Sequence, residues 1–373
     1  MPRWLVFIAC IAIAALAGWS FWRALPAPDA PVADPIVVSE TGTRSGANLI
    51  AIEPVMRVED YTSADAFHAR LADYLEAARE AGVLTPRSIA VFPEHIGTWL
   101  VAANAPRGVY RASSVDGAMI ALIAANPLPY GGSLLASEEP DRAAAAIFRM
   151  RSADTAAGYQ RAFSALAQEY EITIVAGSVV LAGARIEDGA ILTDADGPLE
   201  NISAVFAPDG RVHGALVRKA YPIPSEAGFT AAASLDDYPV FDTPAGRLGV
   251  LICADSWHPD VYAALGDAEL LAVPAFLQPG DVWDAPWGGY VTPWPDDVPR
   301  GDAGHLTEGE AWQTHALAGR LASTSARAGI TAFLGGSLWD MGSDGAAIAV
   351  NGEGVHTATR TSGGQVVVMW VGD

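Results

Sequence analysis

From residue 47 onward, short runs rich in β-branched residues alternate with longer runs whose apolar positions recur every three or four residues. "ANLIAIEPV" reads as a strand, "SADAFHARLADYLEAAREAGV" as an amphipathic helix, and "SIAVFPE" as a strand again. "YQRAFSALAQEY" continues as a helix and "ITIVAGSVV" as a strand, after which "NISAVFAPDGRVHGALVRK" predicts a hairpin about Pro208-Asp209-Gly210. "RLGVLIC" and "AELLAVPAF" are near-continuous apolar runs, the pattern of strands covered on both faces. "EGEAWQTHALAGRLASTSARAG" is helical, and "ITAFLGGS", "AAIAVNGEG" and "GQVVVMWV" close the chain as strands. This order implies an α/β domain whose helices cover its sheets, without an internal repeat.

Two regions fit the alternation badly. Residues 100–150 are Ala-rich with "NPLPYGG" inside, and residues 277–304 concentrate Pro, Gly, Asp and Trp. Trp283, Trp287 and Trp294 point to an ordered loop in the second region. The first reads as an insertion near the entrance of the domain, in reach of a membrane or partner.

Ahead of the body, residues 4–22 form an uncharged run of nineteen, about 28 Å long as a helix, against about 30 Å of hydrocarbon core. Trp4, Trp19 and Trp22 near its ends suit the interfaces, and Arg3 keeps the N-terminus cytoplasmic. Residues 1–25 are therefore expected to be an uncleaved transmembrane anchor, with a cleaved signal peptide ending near Ala15-Leu16-Ala17 as the alternative. Residues 26–46 read as a Pro/Ala-rich linker, and residues 47–373 as one catalytic-size domain on the extracytoplasmic side. In a bacterium that side is the periplasmic face of the inner membrane, and after signal cleavage the protein would be secreted.

Composition narrows the partners. The chain has 51% hydrophobic residues, enough for a large core, and a net charge of −21 argues against a nucleic acid as partner. Cys10 falls in the apolar run, so Cys253 is the single thiol of the body and no disulfide can form within it. Basic positions are arginine throughout except for one lysine, Lys219. Lysine differs from arginine in carrying a compact point charge.

Cys253 ends an apolar strand and is followed by the turn-like "ADSWHPD". A nucleophile on a strand-to-helix turn is rigid, exposed to substrate and close to backbone N–H groups. Its proton needs a base. His258 is near in sequence but five residues along a turn guarantee no contact. Glu94 ends the strand "SIAVFPE", and Lys219 ends "HGALVRK". If these strands run parallel, Glu94, Lys219 and Cys253 meet at one sheet edge, where α/β active sites lie. No His/Cys/Asp cluster has metal-ligand spacing.

These motifs together resemble the nitrilase or carbon–nitrogen hydrolase superfamily. Its strand-ending Glu is matched by "VFPE" at 91–94, its Lys after a "pdG" hairpin by "APDGRVHGALVRK" at 207–219, and its nucleophile stretch by "CADSWHPD" at 253–260. "IVAGS" at 174–178, "FDTPAGRLGVLIC" at 241–253 and the closing "FLGGSLW" with "GAAIAVNGEG" extend the resemblance over roughly residues 47–371. It implies an α-β-β-α sandwich of two sheets flanked by helices, and a thioester mechanism needing no metal or organic cofactor. In it Cys253 is the nucleophile, Glu94 the general base, and Lys219 with the Ala254 N–H the oxyanion holder. Glu226, in "KAYPIPSE", stands where the family often has a second glutamate. Tyr221 and the sequence His258-Pro259-Asp260 depart from common family residues, so pocket shape does not carry over.

The resemblance predicts hydrolysis of an amide, nitrile or carbamoyl C–N bond. N-acyl transfer, as in the apolipoprotein N-acyltransferases, is the alternative, and a silent nitrilase-like binding module is a third. A homodimer is a further family expectation. Trp99, Tyr130, Tyr221, Asp255, Trp257 and His258 are candidate pocket residues, with Asp255 either structural or close to the nucleophile.

Overall fold

The computed structural model describes residues 14–23, 25, 27–28, 34–236 and 238–372. Two sheets face one another. The first, of eight strands, carries the parallel trio Ala47–Arg57, Arg87–Val91 and Thr173–Val175, bordered by Gly364–Val371, which runs antiparallel to Ala47–Arg57. The second, of six, centres on the parallel trio Gly246–Val250, Leu270–Ala275 and Ala328–Phe333.

Alternating side chains on one strand point to opposite faces, and here both faces are dry. Ile50, Ile52 and Ala90 join the core beneath helices Ala64–Glu80 and Arg142–Tyr170. Leu49, Ala51, Ile89 and Val91 meet Leu248, Val250 and Leu270 of the second sheet. Helix Glu308–His315 and the turn Leu317–Arg320 cover that sheet from outside, through Ala311, Trp312 and Leu317. The layering is the expected α-β-β-α sandwich. Because both faces of these central strands are covered, they show apolar runs rather than alternation in the sequence.

The hairpin about Pro208-Asp209-Gly210 forms, closed by the Ala207 N–H to the Arg211 carbonyl at 2.8 Å. Its return strand Val217–Arg218 pairs with Leu199–Ser203 in a separate antiparallel three-stranded sheet. Helix Arg142–Tyr170 is far longer than the segment "YQRAFSALAQEY" indicated; Asp141 caps it through the Ala144 N–H.

Residues 100–150, which fit the strand–helix alternation badly, are largely helical. Helices Val115–Ala125 and Pro127–Ala136 meet at Asn126 with a bend of 106°. Pro127 sits at the first helical position, where its missing N–H costs nothing, so it starts a helix instead of ending one. Residues 277–304 form the expected ordered loop: Trp283 and Trp287 are buried, Trp283 against Phe333 and Trp287 against Trp257.

Residues 14–23 are helical, and the Trp19 indole N–H donates to the Ala124 carbonyl at 3.1 Å. The rest of the expected span at 4–22 lies outside the described residues, and so does Cys10. Among the described residues, no single helix is long and apolar enough to cross a membrane; only the bent pair at 115–136 passes by combined length and composition. Within the segment expected as linker, Val37–Thr41 pairs in parallel with Gly364–Val371.

Candidate active site

Glu94, Lys219 and Cys253 converge, but from three different sheets rather than one edge. Glu94 follows the first sheet's strand Arg87–Val91, Cys253 follows the second sheet's Gly246–Val250, and Lys219 follows Val217–Arg218 of the small antiparallel sheet. Packing of sheet against sheet joins them where parallel pairing had been expected to.

Each strand end is braced by its neighbours. Behind Glu94, the Pro93 carbonyl accepts from the Ser178 N–H at 3.3 Å and the Ser178 hydroxyl accepts from the His95 N–H at 2.9 Å. Between them passes Gly177, with φ of 64° and room for no Cβ: one placed there would stand 2.1 Å from the Pro93 oxygen. The "IVAGS" segment thus forms the back wall of the glutamate loop. Cys253 opens a short 3₁₀ turn, Cys253–Trp257, in the left-handed region at φ 49°, a conformation a non-glycine residue holds only when its surroundings enforce it.

The Lys219 ammonium is fully buried between two carboxylates, 2.8 Å from Glu94 Oε1 and in an ion pair with Glu226. Burial opposes its charge, but Glu94 and Glu226 outweigh that and hold its pKa well above the ordinary value. Burial likewise opposes the Glu226 charge, yet Lys219 and His95 hold that carboxyl down at about 2. Asn201 binds both acids, its Nδ2 lying 3.0 Å from Glu94 and 3.3 Å from Glu226. The His95 Nε2 stands 3.2 Å from Glu226. Sequence reasoning missed Asn201 and His95; His95 adjoins Glu94, whereas nothing local marks Asn201.

Burial and the neighbouring Glu94 carboxylate push the Cys253 thiol well above its usual pKa, with Lys219 acting the other way. Cys253 therefore rests as a thiol, with Glu94 beside it as a group able to take its proton. Ala254 supplies an N–H in the first turn of the 3₁₀ segment, where N–H groups have no intrahelical acceptor. Glu94, His95 and Glu226 present ligand atoms within 4.8 Å of one another, a metal-like spacing, but the Lys219 ammonium already bridges the two carboxylates.

Cys253, Glu94, Ala254 and Trp257 line one cavity of about 480 Å³, closed by Phe276 and by Trp287 and Tyr290 of the 277–304 loop. The other candidate pocket residues lie elsewhere. Trp99 packs edge-on against Trp339 in the helix-side core, and Tyr130 belongs to that same side, so the insertion does not border this cavity. Tyr221 stacks on His258 at 3.5 Å and borders a separate surface cavity, while the His258 Nε2 is held by Thr292 at 2.8 Å. Burial lowers His258 to about 4, so it is neutral and engaged. Asp255 is fully buried and ties backbone together, outside the cavity.

A two-sheet sandwich with a buried glutamate, lysine and cysteine at one cavity defines a class of hydrolase domains, and the family comparison agrees. The carbon-nitrogen hydrolase family model matches residues 54–288, more than half of the sequence, and the chain belongs to that family. No curated protein matches at a significant level. Among solved structures, a carbon-nitrogen hydrolase from Helicobacter pylori G27 is similar at 18% identity, covering 87% of this chain and 89% of its own, with a TM-score of 0.52. A cysteine-to-serine mutant of the Nesterenkonia AN1 amidase from the nitrilase superfamily is similar at 14% identity, 88% and 92% coverage and a TM-score of 0.50. Another form of that amidase, at 14% identity, 87% and 89% coverage and a TM-score of 0.50, carries the acetamide moiety of fluoroacetamide on its active-site cysteine. At these identities the likeness is one of fold.

Proposed function

We propose that this chain hydrolyses a non-peptide C–N bond, of amide type, through a thioester on Cys253. The observation that carries the reading is the buried Glu94–Lys219 contact of 2.8 Å, with Glu94 lining the same cavity as Cys253. Cys253 Sγ attacks the substrate carbonyl carbon while Glu94 takes the thiol proton. The oxygen, now negative, is met by the Lys219 ammonium and the Ala254 N–H. Collapse breaks the C–N bond, and the departing amine receives the proton from Glu94. A water then gives its proton to Glu94, attacks the thioester and releases the acid, restoring the thiol. Glu226 keeps Lys219 charged and aimed. The acetamide adduct on the amidase's cysteine supports this assignment by analogy alone.

The test is a screen of amides, nitriles and carbamoyl compounds with wild type and Cys253→Ala, trapping the acyl-enzyme by mass spectrometry. A mass increase on Cys253 that vanishes in the variant is expected. Absence of any adduct across these classes would instead fit a silent binding module.

The reading extends to location: the enzyme sits at a membrane surface, its domain outside the cytoplasm. Support comes from the exposed apolar side chains, which concentrate on the N-terminal helical segment and the bent helix pair. Leu16, Phe21, Ile120, Leu128 and Leu135 are each at least 61% exposed, and helix Pro127–Ala136 buries none of its residues. Asp116 is the single charge between 115 and 136. Such a patch is the signature of an interfacial element.

A further inference from the structure

The catalytic account leaves one carboxylate of the cavity unused. Glu308 lines the same cavity as Cys253, at the first position of helix Glu308–His315. Capping does not require it: Thr307 and Glu310 complete that helix start between themselves, with Thr307 accepting from the Glu310 N–H at 3.2 Å and the Thr307 N–H donating back at 2.8 Å. Glu308 is half-buried, whereas the fully buried carboxylates among the described residues have firm partners. Glu53 accepts from the Phe333 N–H and Gln365, and Asp344 accepts from the Trp283 N–H and pairs with Arg360. Glu308 has no ion-pair partner among the described residues. Burial lifts its pKa to about 7, and only the Trp312 indole N–H acts in the other direction.

What surrounds Glu308 is aromatic. Trp257, Trp287, Tyr290 and Trp312 form the wall, with Trp257 against Trp312 at 4.9 Å and against Trp287 and Tyr290 at 5.6–5.7 Å. Lys219 lies behind Glu94, already paired with Glu94 and Glu226, and among the described residues no lysine or arginine lines the cavity itself. Aromatic faces attract a cation, the more so when desolvated, and a carboxylate among them supplies the matching charge. A cation entering this wall would keep Glu308 ionised and give it the ion-pair partner it lacks among the described residues.

Resting on the amide-hydrolase reading, we propose that the cavity selects amides carrying a cationic group, an ammonium or guanidinium, which Glu308 and the tryptophan wall receive while Cys253 addresses the carbonyl. Glu308 is thus a specificity residue. Its charge, not its bulk, does the selecting.

Methanethiosulfonate reagents test this without knowledge of the natural substrate. The Cys253 sulfur forms a disulfide with the reagent's thioalkyl sulfur, methanesulfinate leaves with the bonding electron pair, and the thiol proton passes to solvent. Trimethylammonium-ethyl, sulfonato-ethyl and methyl reagents are compared by mass spectrometry of the Cys253 peptide, with Cys10 counted separately and each rate divided by that for 2-mercaptoethanol. The expected result is a cationic-to-methyl ratio of tenfold or more in the wild type, falling below twofold in Glu308→Gln. A wild-type ratio near one, or an undiminished ratio in Glu308→Gln, overturns the proposal.

Should Glu308→Gln fail to fold, wild type alone decides. Millimolar butylammonium slows labelling by the methyl reagent at least fivefold more than 1-butanol does, and equal protection by the two overturns the proposal. The hydrolase reading fails separately, by the absence of any acyl-enzyme, because these labelling ratios require no turnover.

Discussion

Asp255 and Tyr221 are joined by a 2.9 Å hydrogen bond from the Tyr221 N–H to Asp255 Oδ1, so that the residue two beyond the cysteine holds the residue two beyond the lysine. The same oxygen accepts from the Ala220 N–H at 3.0 Å, and Oδ2 accepts from the Tyr238 hydroxyl at 3.1 Å. One buried carboxylate therefore fixes the distance between Cys253 and Lys219. Asp255→Ala strands the partly buried Ala220 and Tyr221 N–H groups and is expected to cost about 1–3 kcal/mol of stability. Asp255→Asn keeps one oxygen for them and loses less. Denaturant unfolding together with the rate of thioester formation checks both; an alanine variant with wild-type stability and rate would show that the tie is dispensable.

Lys219→Arg is expected to lose at least a hundredfold in kcat. The space between Glu94 and Glu226 fits a compact ammonium, and a planar fork offers a different set of donors over a larger volume. Turnover within tenfold of wild type would falsify the account of the lone lysine.

Glu226 sets an acid limb of stability. Its folded pKa of about 2 lies below the ordinary 4.5, so its contribution is complete above about pH 4.5 and is lost as pH falls toward 2. The shift amounts to about 3 kcal/mol in this window. In Glu226→Gln the fall in unfolding free energy between pH 4.5 and 2 should flatten. An unchanged acid limb in that variant would place the stabilising charge elsewhere.

Gly177→Ala should disrupt the glutamate loop, because its Cβ would meet the Pro93 carbonyl oxygen and its φ of 64° disfavours a side chain. Loss of activity larger than the loss of thermal stability is expected, since the displaced group adjoins Glu94. Crystal structures or activity assays showing an undisturbed Glu94 would refute this.

Ile120→Ser, Leu128→Ser and Leu135→Ser combined should leave the fold intact, because all three side chains are at least 67% exposed. Binding of the domain beginning at residue 34 to lipid vesicles, measured by flotation, is expected to drop by tenfold or more. Equal flotation of triple variant and parent would remove the bent helices from the membrane surface.

Much of the candidate site was legible locally because each of its principal groups sits at a strand end beside a turn signal: Pro93 before Glu94, Pro208-Asp209-Gly210 before Lys219, "ADSWHPD" after Cys253. Glu226 came from the family resemblance, which implies a second glutamate after the lysine. Asn201 could not be found this way, since an asparagine within a buried strand looks like any polar residue there until Glu94 and Glu226 are seen to flank it. Trp99 was misplaced for the converse reason: an aromatic five residues past Glu94 serves core or pocket equally well in a sequence, and only the turn Thr98–Ala102 turns it toward Trp339. The helices about "NPLPYGG" were not legible in the alternation, and Pro127 stands at a helix start, where proline is well placed.

The sequence by itself determined the alternation of strands and helices, the two-sided burial of the strands and the three reactive residue types at strand ends, because hydrophobic period and turn chemistry act over a few residues. Tertiary structure alone decided that these ends come from three sheets and meet at one cavity. It also decided that Asp255 links them, and that Glu308 faces Cys253's cavity without an ion-pair partner among the described residues. Those relations span up to 214 residues of chain, from Glu94 to Glu308, and they arise from the packing of one sheet on another, which no local pattern encodes.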